Sequence, residues 1–230
     1  MDRRHDDRGR PADEPSLIDD GVVLGYVPDG ADDAALKLGS GARLRTGTIV
    51  YSGSFIGQRF RTGHHVVIRE GSVIGDDVSI WSNSIVDYGC LIGDRVKIHA
   101  NCYVAQFTEI DDDAFLAPGV CLANDLFPGS RASAAEMQGP SIGAGAQLGV
   151  NVTVVPYVSI GAGSIIGAGA VVTKDVPEGV LAYGNPAVAV TSISEIDVDE
   201  RVRVRADRAR RRRSRLSATL RSTAQRGPST

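Results

Sequence analysis

Few residues in this chain of 230 are suited to chemistry, and their spacing is the first clue to how they are held. The histidines are His5, His64, His65 and His99. An imidazole titrates near neutrality and can accept a proton from a reacting group. His65, Asn83 and Asn101 follow one another at intervals of 18, and His99 follows Trp81 by the same interval. Asn124 and Asp125 follow Gln106 and Phe107 by 18 as well. They open a stretch, ANDLFPGSRASAAEMQGP, that obeys no local repeat. Cys90, Cys102 and Cys121 show no CxxC spacing. An odd count without a secretory leader points to a reducing compartment, no disulfide framework and a cytoplasmic location.

The interval of 18 is three times six, and six is the period of the chain. From Leu38 to Leu122 every sixth residue is aliphatic, with Thr62 the one exception among fifteen. The frame then jumps by 20 residues, resumes at Ile142 and runs to Val172. Two residues before each aliphatic stands a small or β-branched residue, such as Ser84, Cys90 or Cys102, with Leu36 and Phe60 the exceptions in the first stretch. Residues two apart on a strand share a face, so each hexad reads as a short strand with one large and one small side chain turned inward. Cys90 and Cys102 are therefore packing residues. The residue after the aliphatic is often Gly (Gly57, Gly75, Gly93, Gly143, Gly149), and the expected reason is a backbone bend that ends the strand. A six-residue beat fits neither a helix nor a flat sheet. It fits a parallel β-helix in which three hexads make one triangular coil, and coils stack at about 4.8 Å. The fold class is all-β. The 21 hexads predict about seven coils, and residues 18 apart stack on one another.

This frame divides the chain into a polar arm at 1–16, expected to be disordered, a β-helix at 17–190 with a protruding loop at 123–141, and a tail at 191–230 that is helical or disordered. Residues 201–215 hold nine Arg and one Asp, a charge of +8. The formal charge of −3 therefore leaves −11 on the rest. The Arg run reads as a solvated tail. No aromatics interleave it, so nucleic acid is not among the expected partners. No apolar run approaches the ~18 residues of a membrane helix.

The stretches HHVVIREGSVIGD at 64–76 and RVKIHANCYVAQFTEIDDDAFLAPGVCLANDLFP at 95–128, with the ending GAGAVVTKDVPEGVLAYGNPA at 167–187, resemble the sugar-nucleotide N-acyltransferases of the hexapeptide-repeat superfamily. The Asn-Asp-x-x-Pro at 124–128 resembles enzymes that acetylate the amino group of nucleotide-linked amino sugars. The resemblance covers about 55–190. It implies a left-handed coil, and a homotrimer with active sites between subunits. It also implies transfer of an acetyl group from acetyl-CoA to a sugar amine by direct attack on the thioester, without a metal. Asn124 would orient the amine or stabilise the tetrahedral intermediate, and His99 is the candidate base. Asp125, Asn101, Asn83 and His65 would contact the sugar substrate. Gly161, Ala162, Gly167, Ala168 and Lys174 would line the CoA groove. Two other readings share the fold. A γ-type carbonic anhydrase would hold a metal through three His, but His64 or His65 lies two coils from His99, nearly ~10 Å by the coil spacing. A non-catalytic scaffold would have little reason for the loop at 123–141.

Overall fold

The computed structural model describes residues 15–30, 34–197, 199–200, 202–203, 205–207 and 209–210. Most of the expected arm, and the tail beyond 210, lie outside the described residues. The chain divides into two units, Met1–Ile193 and Ser194–Thr230. In the second unit the described residues between 199 and 210 are helical. The first unit is a parallel β-solenoid.

From Leu17–Ile18 to Val171–Val172 its strands, mostly two residues long, fall in strict rotation onto three sheets with parallel pairing, one for each face of the coil. Ser79–Ile80 lies on the first face, Ile85–Val86 on the second and Leu91–Ile92 on the third; Lys97–Ile98 returns to the first, one coil higher. The register is the predicted interval: Ile80 pairs with Ile98, Val86 with Val104 and Ile92 with Ile110. Across the loop it becomes 32, with Glu109 opposite Ser141 and Phe115 opposite Gln147, so the loop adds 14 residues to an otherwise continuous stack. There are about eight coils rather than seven, consistent with the left-handed coil of the resemblance. The additional coil begins at Leu17–Ile18 and Val23–Tyr26, where Leu17 pairs with Arg43 and Val23 with Ile49. The interval of 26 contains an eight-residue interruption, which hid this coil from the six-residue frame.

The inward aliphatics, among them Ile80, Ile98, Leu116 and Leu148, are essentially inaccessible and form a single core along the axis. Phe60 and Thr62, which break the pattern, break it together. Phe60 is fully buried at the position usually small, and Thr62 is the small residue opposite, so the pair exchanges sizes. The Thr62 hydroxyl accepts from Arg45 N at 3.0 Å and pairs with Thr48 Oγ1 at 2.9 Å, which satisfies polar groups that would be costly to bury unpaired.

The other small inward residues make a second kind of contact. Ser72 Oγ donates to Asp87 O at 3.0 Å, Ser84 Oγ to His99 O at 2.8 Å, and Cys102 Sγ to Ala117 O at 3.3 Å. Each ties its hexad to the edge of the coil above. Cys90 and Cys102 are buried and free, and burial pushes the Cys90 thiol up to about 12.

The glycines after the aliphatics have a different reason from the one expected. Gly57, Gly75 and Gly149 do not have positive φ. The left-handed residue lies two positions later, as at Arg95, Asn101, Phe107 and Asp113. What Gly149 permits is close stacking: a Cβ there would sit 2.6 Å from Ala168 N on the next coil. One edge also carries a polar ladder. Asp76 Oδ1 accepts from Gln58 N at 2.7 Å and Asp94 Oδ1 from Asp76 N at 2.8 Å, while Arg59 and Arg95 bridge to Asp77 and Asp113.

Candidate active site

The residues singled out from sequence fall on three different edges of the solenoid. The edge from the first to the second face holds His65, Asn83, Asn101, His99, Gly167 and Ala168. The edge from the second to the third holds Asn124, Asp125 and Lys174, and the edge from the third back to the first holds Gly161 and Ala162.

On the first edge His65, Asn83 and Asn101 form the expected column, with φ of 56°, 60° and 60°. Asn tolerates this left-handed conformation better than most residues. The backbone ties each turn to the one on the coil below: Asn83 N donates to His64 O and Asn101 N to Ser82 O. The turn thus gives the column a structural reason that involves no ligand. His99 stands beside it, stacked on Trp81 with ring centroids 4.5 Å apart and planes 5° from parallel, and 5.0 Å from the Phe115 ring. Burial in this sandwich, then the charge of Lys97, holds its pKa below the ordinary 6.5. The imidazole is therefore neutral at pH 7 and able to accept a proton. Its backbone is held from both sides, by Leu116 O and by the Ser84 hydroxyl.

On the second edge Asn124 ends the regular coil. Its side-chain nitrogen donates to Gln106 Oε1, directly below it, and to Met137 Sδ at 3.4 Å. A thioether sulfur only accepts, so it fixes which end of the carboxamide faces Met137. Both N–H donors are thereby engaged, and Oδ1 is the atom left for another molecule. The excursion closes on itself around this residue. Gln138 N donates to Asn124 O at 3.0 Å and Gln138 Nε2 to Phe107 O at 2.7 Å. Asp125 Oδ1 accepts from Phe127 N at 3.0 Å and from the Ser133 hydroxyl. A five-residue helix, Arg131–Ala135, is capped by Ser130, and the Tyr157 hydroxyl donates to Glu136 O. Leu126 and Phe127 project at the tip, 51% and 71% exposed.

Below Asn124 the same edge holds a group that sequence reasoning did not find. Asp87 is buried, accepts from the Tyr103 hydroxyl at 2.7 Å and lies 3.4 Å from Arg69 Nη1. Burial, then the Asp87 carboxylate, pushes the Tyr103 phenol above its ordinary value. Gln106, Met137 and Gln138 were likewise unassigned. The signal for Gln106 was present, since it precedes Asn124 by 18, but nothing in the repeat points to the loop residues Met137 and Gln138.

Of the residues expected to line a CoA groove, Gly161 and Gly167 are covered by the chain itself. A Cβ on Gly161 would lie 2.6 Å from Pro177 C, and one on Gly167 would lie 2.7 Å from Tyr183 Cβ. Ala168 and Lys174 are exposed. Among the described residues no three His, Cys, Asp or Glu side chains are grouped as a metal site, and no helix is long and apolar enough to cross a membrane.

Comparison with known proteins agrees with the hexad repeat and the solenoid fold. Residues 89–124 and 139–174 match the bacterial transferase hexapeptide family (six repeats), and 71–106 match the hexapeptide repeat of succinyl-transferase. The gap between the first two matches is the excursion. Over 88 residues the chain is 36% identical to serine acetyltransferase 2 of Arabidopsis thaliana, covering 38% of this chain and 27% of that protein. Over 59 residues it is 52% identical to a protein of Staphylococcus aureus (strain MRSA252) named provisionally as an acetyltransferase, covering 25% and 30%. The match thus spans less than a third of the length of these curated relatives. A crystal structure of UDP-N-acetylglucosamine acyltransferase shares the fold, with a TM-score of 0.61 and 19% identity over 78% of this chain and 73% of that one. These matches show the hexapeptide transferase repeat in residues 71–124 and 139–174 and the solenoid fold that it builds.

Proposed function

We propose that this protein transfers an acetyl group from acetyl-CoA to the amino group of an amino sugar, carried on a nucleotide. The observation that carries the reading is the fixed carboxamide of Asn124 at the foot of the excursion, with its N–H donors taken by Gln106 and Met137. Of the two roles expected for it, this favours one. Oδ1 accepts a hydrogen bond from the substrate amine and aims the nitrogen lone pair; the engaged nitrogen is not free to stabilise an oxyanion. The neutral amine attacks the thioester carbonyl, the tetrahedral intermediate expels the CoA thiolate, and the proton lost by nitrogen ends on that sulfur. The products are the N-acetyl sugar and CoA thiol.

His99 is the group suited to relay that proton, since its pKa is lowered and it is neutral at pH 7. It stands on a different edge of the chain from Asn124, so the two serve one reaction only across a contact between copies. The homotrimer that the resemblance implies, with sites between subunits, would bring them together. Asp125 shapes the excursion through Oδ1 and offers Oδ2 to the sugar. Ala162, Ala168 and Lys174 are the residues through which the C-terminal coils would receive the CoA arm and a phosphate.

The test is release of CoA thiol from acetyl-CoA with a panel of nucleotide-linked amino sugars and their N-acetylated counterparts. Release is expected with free amines alone. The reading is wrong if no amine in the panel releases CoA, or if Asn124→Ala releases it as fast as the parent.

A further inference from the structure

The two ends of the solenoid are finished differently. At the C-terminal end, strand Val180–Gly184 pairs with Ile165–Ile166 and is then covered in antiparallel fashion by Ala187–Ser192. Val172 and Val176 at this end are 1% and 7% exposed, and Ala182 within the hairpin is 0% exposed. At the other end, Ile18 and Leu24 occupy the inward positions that are buried in the coils above, yet they are 45% and 39% exposed. Leu17, Val23, Tyr26 and Val27 add further exposed apolar surface. Among the described residues, strands Leu17–Ile18 and Val23–Tyr26 end their sheets, each with one edge unpaired in its sheet. An open edge beside exposed apolar side chains is a template for another strand.

We infer that this end packs against the same end of a second copy, across a twofold axis. Residues 1–14 are a poor cover, because nine of them are charged and Met1 is their one large apolar residue. A twofold axis perpendicular to one face sets the free edge strand of that face antiparallel to its own copy, which is a favourable pairing. Val23–Tyr26, four residues long, is the strand best able to use it. Head-to-tail stacking, which would grow a filament, requires both ends open, and the C-terminal hairpin closes one of them. What remains is a closed contact that doubles the assembly and stops.

The mass of the assembly in solution tests this. The full chain should contain an even number of protomers. Ile18→Lys with Leu24→Lys, placed at positions already exposed, should halve the mass while the circular dichroism spectrum stays unchanged. An odd number of protomers in the parent, or an unchanged mass in the folded double variant, overturns the inference. Should the double variant not fold, Val23→Cys in a Cys121→Ser background decides: oxidation should give a covalent dimer on a denaturing gel, and its absence overturns the inference.

Discussion

The two edges that flank the second face are built from the same hexads but use their polar residues in opposite ways. On the edge of His65, Asn83 and Asn101, the turn consumes the polar residue: its left-handed φ is what the position requires, and the backbone makes the bonds. On the edge of Gln106 and Asn124 the side chains bond one another, and the coil is interrupted to bring Met137 and Gln138 over them. A polar column on a solenoid therefore does not by itself mark a site. A polar residue whose side chain is held by other side chains, where the repeat breaks, is the stronger indication.

This contrast can be broken by substitution. The largest effect is expected at Asn124. Asn124→Ala should lower kcat/KM about 10²-fold through loss of amine alignment, with acetyl-CoA binding retained, as read by thiol release and calorimetry. Gln106→Leu removes one hydrogen bond that orients Asn124. About tenfold in kcat is expected, with KM for acetyl-CoA unchanged and most activity restored by Gln106→Glu, which keeps an accepting oxygen. His99→Asn should change the pH profile more than the rate at pH 8. Because its folded pKa lies below 6.5, the parent should lose activity only on the acid side of that value, and the variant should lack this limb. The same sign applies to stability: with the folded value depressed, the parent should lose stability relative to His99→Asn as pH falls through 6.5, as seen in denaturant midpoints at pH 7 and pH 5. The smallest effect belongs to the structural column. Asn101→Gly should be nearly neutral in stability and Asn101→Ala should cost about 1 kcal/mol, since the φ of 60° suits Gly and strains Ala. A loss of activity larger than that stability cost would show that Asn101 touches substrate after all.

Much of the fold was legible because the repeat is enforced by the axis. An inward position admits only a residue that fills it, so Ile80, Ile98 and Leu116 announce themselves. Where the rule is relaxed the sequence is quieter. Ile18 and Leu24 stand six apart like the later inward residues, but the eight-residue interruption after them puts them out of phase and conceals the first coil. Thr62 looks like a defect until Phe60 is seen to carry its missing volume. The glycines after each aliphatic suggested a bend, yet backbone approach between coils, which no single hexad reveals, is what they permit. At the site, the arithmetic of 18 set Asn124 over Gln106. Met137 comes from the one stretch without a period, and its place depends on how that stretch folds back.

The clamp at the base of the excursion has a consequence for how such proteins diversify. Asn124 and Gln138 are joined by their backbones, and the coil above resumes at Ser141 in the same register it would have had without the insertion. The segment from 125 to 137 is thus mounted like an exchangeable tool head. Its length and composition can be rewritten while every rung of the prism keeps its neighbours, so under the proposed function a change of acceptor would not put folding at risk.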